Sequence, residues 1–335
     1  MRKRQGEDIM GGQPIGLAIL GLGTIGSEVA RAAMADDRLR LVAVLDRGPE
    51  RAERAGIAPA LILTDGNEVV DHPDVQVVVE VLGREQPAGD LMVRALANGK
   101  HVVTANKEAV SKQLPSILAA ARDGKSGFLC EASVGGGIPL FVSLKAVMDS
   151  NRIERVRGIV NGTTNYILWK METEGAGYDE ALAQAQELGY AEPDPTADVE
   201  GFDASYKLAI IGSLISGRHI RPEEIDRTGI SGVSSADIED AKQRGGTIRL
   251  IASAERDGDD IRLKVAPTFV SGDDLFSRVS ANYNALEIVG DRVGPVLLHG
   301  QGAGPAPTSS AILSDVFEAV RTGAAATPAV NLSTT

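Results

Sequence analysis

Over the first 150 residues the chain alternates short, unbroken apolar runs with stretches of helical character. The runs lie at 15–20, 41–45, 61–64, 75–82, 101–104 and 127–131. Helices are expected over 24–34, around 91–97, where Asn98-Gly99 supplies a stop, and from about 108 to 122. Apolar strands without polar alternation, separated by helices, predict a parallel sheet covered on both faces, and so an α/β fold with a doubly wound sheet.

After about Ser150 the pattern changes. A strand at 155–160 is followed by three helical segments, 164–174, 179–188 and 201–216. Two hairpins come next. Strands 248–255 and 261–270 flank Arg256-Asp257-Gly258-Asp259, and strands 285–289 and 293–298 flank Gly290-Asp291-Arg292. This predicts a second domain of mixed α+β type. A last helix over 310–320 is expected to pack back onto the first domain. The resulting division is a disordered leader (1–12), a first domain (13–150), a second domain (151–306), a returning helix (307–323) and a flexible tail (324–335).

Composition narrows the partners. The 335 residues carry a formal net charge of -12, with acidic residues spread along the chain, which argues against a nucleic-acid partner. One cysteine, Cys130, excludes an intrachain disulfide framework and reads as a small buried hydrophobe. No apolar run has the length of a membrane span, and the start lacks a signal-peptide core, so the cytoplasm is the expected setting.

The strand at 15–20 leads directly into Gly21-Leu22-Gly23-Thr24-Ile25-Gly26, which opens a helix, and Asp46 ends the next strand 20 residues after Gly26. Alone, such a glycine pattern is weak. In this setting it is the fingerprint of a Rossmann-type dinucleotide site. Gly21 permits the tight turn, Gly23 clears room for the pyrophosphate, and Gly26 lets helix and strand approach. The phosphates would sit on the helix N-terminus at Thr24 and Ile25. Asp46 would accept from ribose hydroxyls and repel a 2′-phosphate, which favours NAD. Arg47 pulls toward NADP, so the balance tilts only mildly to NAD.

Further motifs resemble one family. Val102-Val103-Thr104-Ala105-Asn106-Lys107, Glu131–Pro139 (EASVGGGIP), Gly158–Leu168 (GIVNGTTNYIL), the run from Ala185 to Lys207, and Gly300-Gln301-Gly302-Ala303-Gly304 with Pro307–Ala311 are similar to homoserine dehydrogenase, in that family's order, across roughly 15–322. The resemblance implies an NAD- or NADP-dependent oxidoreductase that interconverts L-homoserine and L-aspartate 4-semialdehyde on the route to threonine and methionine. It also implies a homodimer built through the second, catalytic domain. The rival readings are a relative retuned to another amino-acid semialdehyde, and a catalytically dead dinucleotide sensor. Retention of Glu192, Asp203, Lys107 and Lys207 argues against the first, and retention of both lysines against the second.

By resemblance, Lys207 is the general acid/base, and Lys107 orients the substrate and stabilises the developing alkoxide. Two nearby ammonium groups are expected to ease each other's deprotonation. Asp203 positions Lys207 and substrate, although four-residue spacing on a helix by itself describes a routine surface ion pair. Glu192 accepts from the substrate ammonium, with Asp194 and Asp198 as weaker candidates. Gly189 and Gly302 close over the cofactor, and Gly83 and Thr104 lie near the nicotinamide ribose. Glu131, Val134, Gly136 and Ile138 resemble a monovalent-cation loop, with sodium as the candidate ion and a demanding turn as the alternative. Two positions depart from the family: Arg84 stands where a second glycine is common, and Leu45 where a basic residue is common. No room is left after the last helix for the ACT regulatory domain of many relatives, so threonine feedback through one is expected to be absent.

Overall fold

Two six-stranded sheets carry the fold, described over residues 13–327 of a computed structural model. The leader expected over 1–12 and the tail beyond 327 lie outside the described residues. The first sheet is built from β1 (Ile15–Leu20), α1 (Thr24–Met34), β2 (Leu39–Leu45), α2 (Pro49–Ala55), β3 (Ile62–Leu63), α3 (Gly66–Asp71), β4 (Val77–Glu80), α4 (Ala88–Ala97), β5 (His101–Thr104), α5 (Lys107–Asp123) and β6 (Phe128–Leu129). Its order is β3-β2-β1-β4-β5-β6 and every pairing is parallel. The order reverses between β1 and β4, where sheets of this kind bind ligands beyond the strand C-termini. All residues of β1 and β4 are buried, as continuous apolar strands require.

The second half contains α6 (Leu140–Met148), β7 (Ile153–Ile159), α7 (Gly162–Glu174), α8 (Tyr178–Glu187), α9 (Thr196–Val199), α10 (Phe202–Ser216), β8 (Asp226–Arg227), α11 (Ser235–Gln243), β9 (Gly246–Asp257), β10 (Asp260–Ser271), β11 (Tyr283–Gly290), β12 (Gly294–Gln301) and α12 (Pro305–Thr322). The second sheet runs β12-β11-β7-β9-β10-β8, antiparallel except at the β10/β8 edge. No helix among the described residues is long and apolar enough to cross a membrane.

Several expected boundaries move, each for a local reason. The apolar run 75–82 gives only Val77–Glu80 to the ladder, and the chain then turns at Gly83, whose φ is +85°. Asp257 pairs with Asp260, so the first hairpin turns on Gly258-Asp259 alone rather than on four residues. Gly290 pairs with Gly294, which places Val293 in the second turn and not in a strand. The last helix starts at Pro305, five residues ahead of the expected 310. Its two prolines, Pro305 and Pro307, sit in the first turn, where a missing N–H costs nothing. The short helices α2, α3 and α11 escape periodicity because each is under three turns; four of the seven residues of α2 are charged.

α12 packs back on α1 and β5, as expected. Its buried Asp315 accepts from the Glu131 backbone N–H at 3.0 Å. Burial and the nearby Glu131 carboxylate push the Asp315 carboxyl up to about 8, so it holds its proton at neutral pH. The tail expected to fray from 324 stays docked through Thr327: a turn at Gly323–Ala326 lets the Thr327 hydroxyl accept from Phe128 N–H (3.0 Å) and donate to the Ser126 carbonyl (3.2 Å). The two halves also meet at α5. Pro115 has no N–H to give Ser111, four residues back, and His219 Nε2 donates to that carbonyl at 2.8 Å instead.

On the second sheet, Glu287 of β11 accepts from Arg155 (2.9 Å) and twice from Arg157 (2.9 and 3.0 Å) across the β7 pairing, and Arg157 continues to Asp274 at 2.7 Å. Burial opposes ionisation of Glu287, but the two arginines outweigh it and hold the carboxyl below its usual range. Its stabilisation is therefore present at neutral pH and lost as pH falls through the depressed value. Glu287→Gln is expected to destabilise the protein by about 1–3 kcal/mol at pH 7. The penalty should shrink toward pH 3, as read by denaturant unfolding at both pH values.

Candidate active site

The turn after β1 has the geometry that close approach of a dinucleotide demands. Gly21 adopts φ +104°, and a Cβ on Gly26 would lie 1.9 Å from the Gly21 carbonyl oxygen. Gly23, the N-cap of α1, has nothing within 4 Å of where its Cβ would be, so the N-terminus that Thr24 and Ile25 begin faces open space. Asp46 is buried at the end of β2. Its Oδ1 accepts from Arg47 N–H at 2.9 Å, and its Oδ2 is buried without a partner. An unpaired buried carboxylate oxygen beside a phosphate-ready helix end fits a ribose hydroxyl. Arg47 is exposed, and Arg51 on α2 lies 3.8 Å from Asp46 Oδ1. Sequence reasoning missed Arg51, since α2 itself escaped it. Leu45 is half-buried beside them.

At the ends of β4 and β5, Glu80 is fully buried. It accepts from Thr104 Oγ1 (2.6 Å), Leu82 N–H (2.7 Å) and Asn106 Nδ2 (3.3 Å). Burial raises its pKa. The Thr104 side chain is therefore buried and occupied, and it also accepts from Asn106 N–H at 2.9 Å. Asn106 caps α5 through Ala109 N–H (3.0 Å) and holds the Arg84 carbonyl at 2.8 Å, which gives Arg84 a backbone role. Gly83 has open space at its Cβ position. The network fixes where α5 starts, and Lys107 is its first residue.

Lys107 meets the second half here. Its Nζ is 3.1 Å from Asp203 Oδ1 on α10, and its side chain is 41% exposed. Lys207, one turn on from Asp203, is buried and donates to Asp203 Oδ2 and to the Val160 carbonyl, both at 2.6 Å. Asp203 is thus buried with one lysine on each oxygen. Burial opposes its ionisation, but the charges of Lys207 and Lys107, with a hydrogen bond from Asn161, hold it well below the usual carboxylate range. Asp203 in turn raises Lys107 above the ordinary lysine value, which corrects for Lys107 the expectation that a neighbouring ammonium would ease its deprotonation: the anion beside it dominates.

Asn161, which the sequence did not single out, follows β7 and donates from Nδ2 to Asp198 Oδ1 (2.7 Å) and to Asp203 Oδ2 (2.8 Å). Burial, then the charge of Asp203, raises the Asp198 pKa. Glu192 stands exposed in the loop after α8, which Thr163 tethers through the Tyr190 carbonyl at 2.6 Å. Asp194 accepts from Thr196 N–H and Oγ1 in that loop, which holds its carboxyl low. Gly189 ends α8 with φ +74°.

At the expected cation loop, both carboxylate oxygens of Glu131 cap α6, accepting from Phe141 N–H (2.7 Å) and Val142 N–H (3.1 Å). The side chain is thus held at the helix end with a second lone pair left on each oxygen, and the main-chain carbonyls of Glu131, Val134, Gly136 and Ile138 are the other oxygens that could face a cation. No cluster of three or more histidine, cysteine or acidic residues suited to a metal occurs among the described residues. The loop interlocks with the segment after β12: a Cβ on Gly136 would lie 2.6 Å from Gly302, and one on Gly302 would lie 1.9 Å from Asn284 Nδ2. Cys130 is buried, as expected.

A family model described as homoserine dehydrogenase matches residues 139–317, and one described as homoserine dehydrogenase, NAD binding domain, matches residues 21–131. The chain is 41% identical to homoserine dehydrogenase of Synechocystis over 315 residues, 91% of this chain and 73% of that protein. It is similar to the crystal structure of a homoserine dehydrogenase from Thiobacillus denitrificans, with TM-score 0.87 and 39% identity, covering 92% of this chain and 73% of that one. A hyperthermophilic archaeal homoserine dehydrogenase in complex with NADPH matches with TM-score 0.79 and 27% identity, over 92% of this chain and 98% of that one.

Gly26→Ala tests the cradle. Overpacking α1 against the Gly21 carbonyl is expected to cost about 1–3 kcal/mol of stability. Calorimetric affinity for a dinucleotide should fall with it; an unchanged Kd would contradict the cradle.

Proposed function

The chain belongs to the homoserine dehydrogenase family, and from that premise we propose how its own residues carry the NAD(P)-linked interconversion of L-homoserine and L-aspartate 4-semialdehyde. The observation that supports the assignment is Asp203, buried with a lysine on each oxygen beyond the C-terminal ends of β4 and β5. A bound nicotinamide supplies the carbon that takes up or returns the hydride. When the aldehyde is reduced, negative charge develops on its oxygen. Lys207 gives that oxygen a proton, and Lys107 supplies compensating charge from the half-exposed mouth. In the reverse direction Lys207, as the neutral amine, takes the hydroxyl proton. Asp203 holds both lysines to one place. Glu192 accepts from the substrate ammonium, with Asp194 and Asp198 as the weaker candidates.

NAD is the preferred cofactor in this reading, because the unpaired Oδ2 of Asp46 suits a free ribose hydroxyl. Arg47 and Arg51 leave NADP usable as a second choice. The Gly21–Gly26 turn, Gly83, Gly189 and Gly302 line the cofactor path, and Lys107 with the main chain at Thr104, whose side chain is taken up by Glu80 and Asn106, completes its nicotinamide end. A sodium ion at the loop of Glu131, Val134, Gly136 and Ile138 has a structural role only. We assign residues 13–150 to cofactor binding and 151–306 to substrate binding and dimerisation, with 307–323 as the returning helix. The working form is a cytoplasmic homodimer, for which light scattering should give twice the protomer mass of 35.0 kDa.

Homoserine oxidation by purified protein tests the chemistry. Lys207→Ala is expected to lower kcat by at least ~100-fold with cofactor affinity retained; near-normal turnover would refute the role of Lys207. Asp46→Ala should lower kcat/KM with NAD about tenfold more than with NADP, the effect of roughly one charge-assisted hydrogen bond. Equal losses with the two cofactors would remove the argument for NAD.

A further inference from the structure

The end of β7 supplies the site with two adjacent handles. The Val160 carbonyl accepts one proton of Lys207, and the next residue, Asn161, is buried with every polar atom of its side chain in use. Its Oδ1 caps α7, accepting from Thr164 N–H at 2.9 Å and Thr164 Oγ1 at 3.0 Å. Its Nδ2 has two protons and two carboxylate partners, Asp198 Oδ1 at 2.7 Å and Asp203 Oδ2 at 2.8 Å. A primary amide offers both functions at once, and the cap fixes the plane of the amide.

Asp203 Oδ2 is also the oxygen that holds Lys207 at 2.6 Å. An ammonium has three N–H groups. On Lys207, two go to the Val160 carbonyl and to Asp203 Oδ2, so these two acceptors set the direction of the third. A swing of the Asp203 carboxylate would turn that N–H away. Lys107 on Oδ1 is half-exposed and gives a weaker restraint against such a swing. The neighbouring carboxylate of Asp198 repels Asp203 and would promote it.

We propose that Asn161 is a positioning residue for the reaction: by donating to both carboxylates from an amide locked as the α7 cap, it fixes Asp203 and thereby aims the free N–H of Lys207. The role rests on the reading of Lys207 as the proton-transfer group. It differs from a helix cap alone in a way experiment can separate. Aspartate and serine both serve as N-caps about as well as asparagine, yet neither supplies the NH2.

The test compares wild type with Asn161→Ser, Asn161→Asp and Lys207→Ala in homoserine oxidation, with melting temperature and calorimetric dinucleotide affinity as controls. Asn161→Ser is expected to keep both controls near wild type and to lose kcat by about 10- to 100-fold, the range in which supporting partners of directly acting groups operate. KM for homoserine should change less than kcat. Asn161→Asp adds a third carboxyl facing Asp198, Asp203, Lys207 and Lys107, so the acid limb of its kcat/KM profile should move upward by about one pH unit or more. Asn161→Ser carries no charge and reads the donor even if the aspartate variant folds poorly.

If Asn161→Ser keeps kcat within about threefold of wild type while Lys207→Ala is inactive, the positioning role is wrong and the reading of Lys207 stands. A fall in melting temperature and cofactor affinity that matches the fall in kcat would reduce Asn161 to a structural cap and overturn the proposal. If Lys207→Ala itself keeps kcat, the proton-transfer reading fails and the proposal falls with it.

Discussion

Asp203 is buried between two lysines that approach from different halves of the chain, Lys107 from the start of α5 and Lys207 from its own helix. Removing a carboxylate from water costs several kcal/mol, and one ion pair at an effective dielectric of about 20 returns roughly 4 kcal/mol at 4 Å. One lysine would therefore about break even. Two lysines and the amide of Asn161 make the ionised carboxylate secure, which is why it stays deprotonated although buried. The same contacts bind the halves together at the proposed site of the chemistry. Charge balance and domain docking are here one interaction.

The surrounding fold serves that placement. Glu80, buried at the end of β4, uses Thr104 and Asn106 to fix where α5 begins, and so fixes the base of Lys107. β7 leads directly into the two residues that hold Lys207 and Asp203. His219, taking the carbonyl that Pro115 leaves free, links the loop after α10 to α5. On the cofactor side the glycine turn is rigid because Gly26 admits no Cβ, while the unpaired oxygen of Asp46 waits at the neighbouring strand end. The two half-sites thus lie at the C-terminal edge of one parallel sheet, where helix N-termini and strand ends converge.

Much of this was legible in the chain. The apolar runs at 15–20 and 101–104 coincide with β1 and β5, because a strand buried on both faces leaves no polar alternation to misread. The glycine spacing with Asp46 located the cofactor turn, and motif resemblance singled out Lys107, Asp203, Glu192 and Lys207. Short elements such as α2 stayed hidden, and Arg51 with them, since two turns of mostly charged residues carry no periodic signal. The capping of α6 by both oxygens of Glu131 was hidden as well, since it reaches ten and eleven residues along the chain to Phe141 and Val142.

Local pattern, then, determined the strands, the doubly wound sheet and the glycine cradle, because each depends on neighbours a few positions away, while the site lysines and carboxylates came from resemblance to a family. The tertiary structure decided which charges meet. Lys107 and Asp203 are 96 positions apart and Asn161 and Asp203 are 42 apart, and no spacing rule reaches that far. In sequence Asp203 and Lys207 form an ordinary i, i+4 pair. Burial, with Lys107 on the other oxygen and Asn161 beneath, makes them the centre of the molecule, because an ion pair excluded from water must have every partner in place.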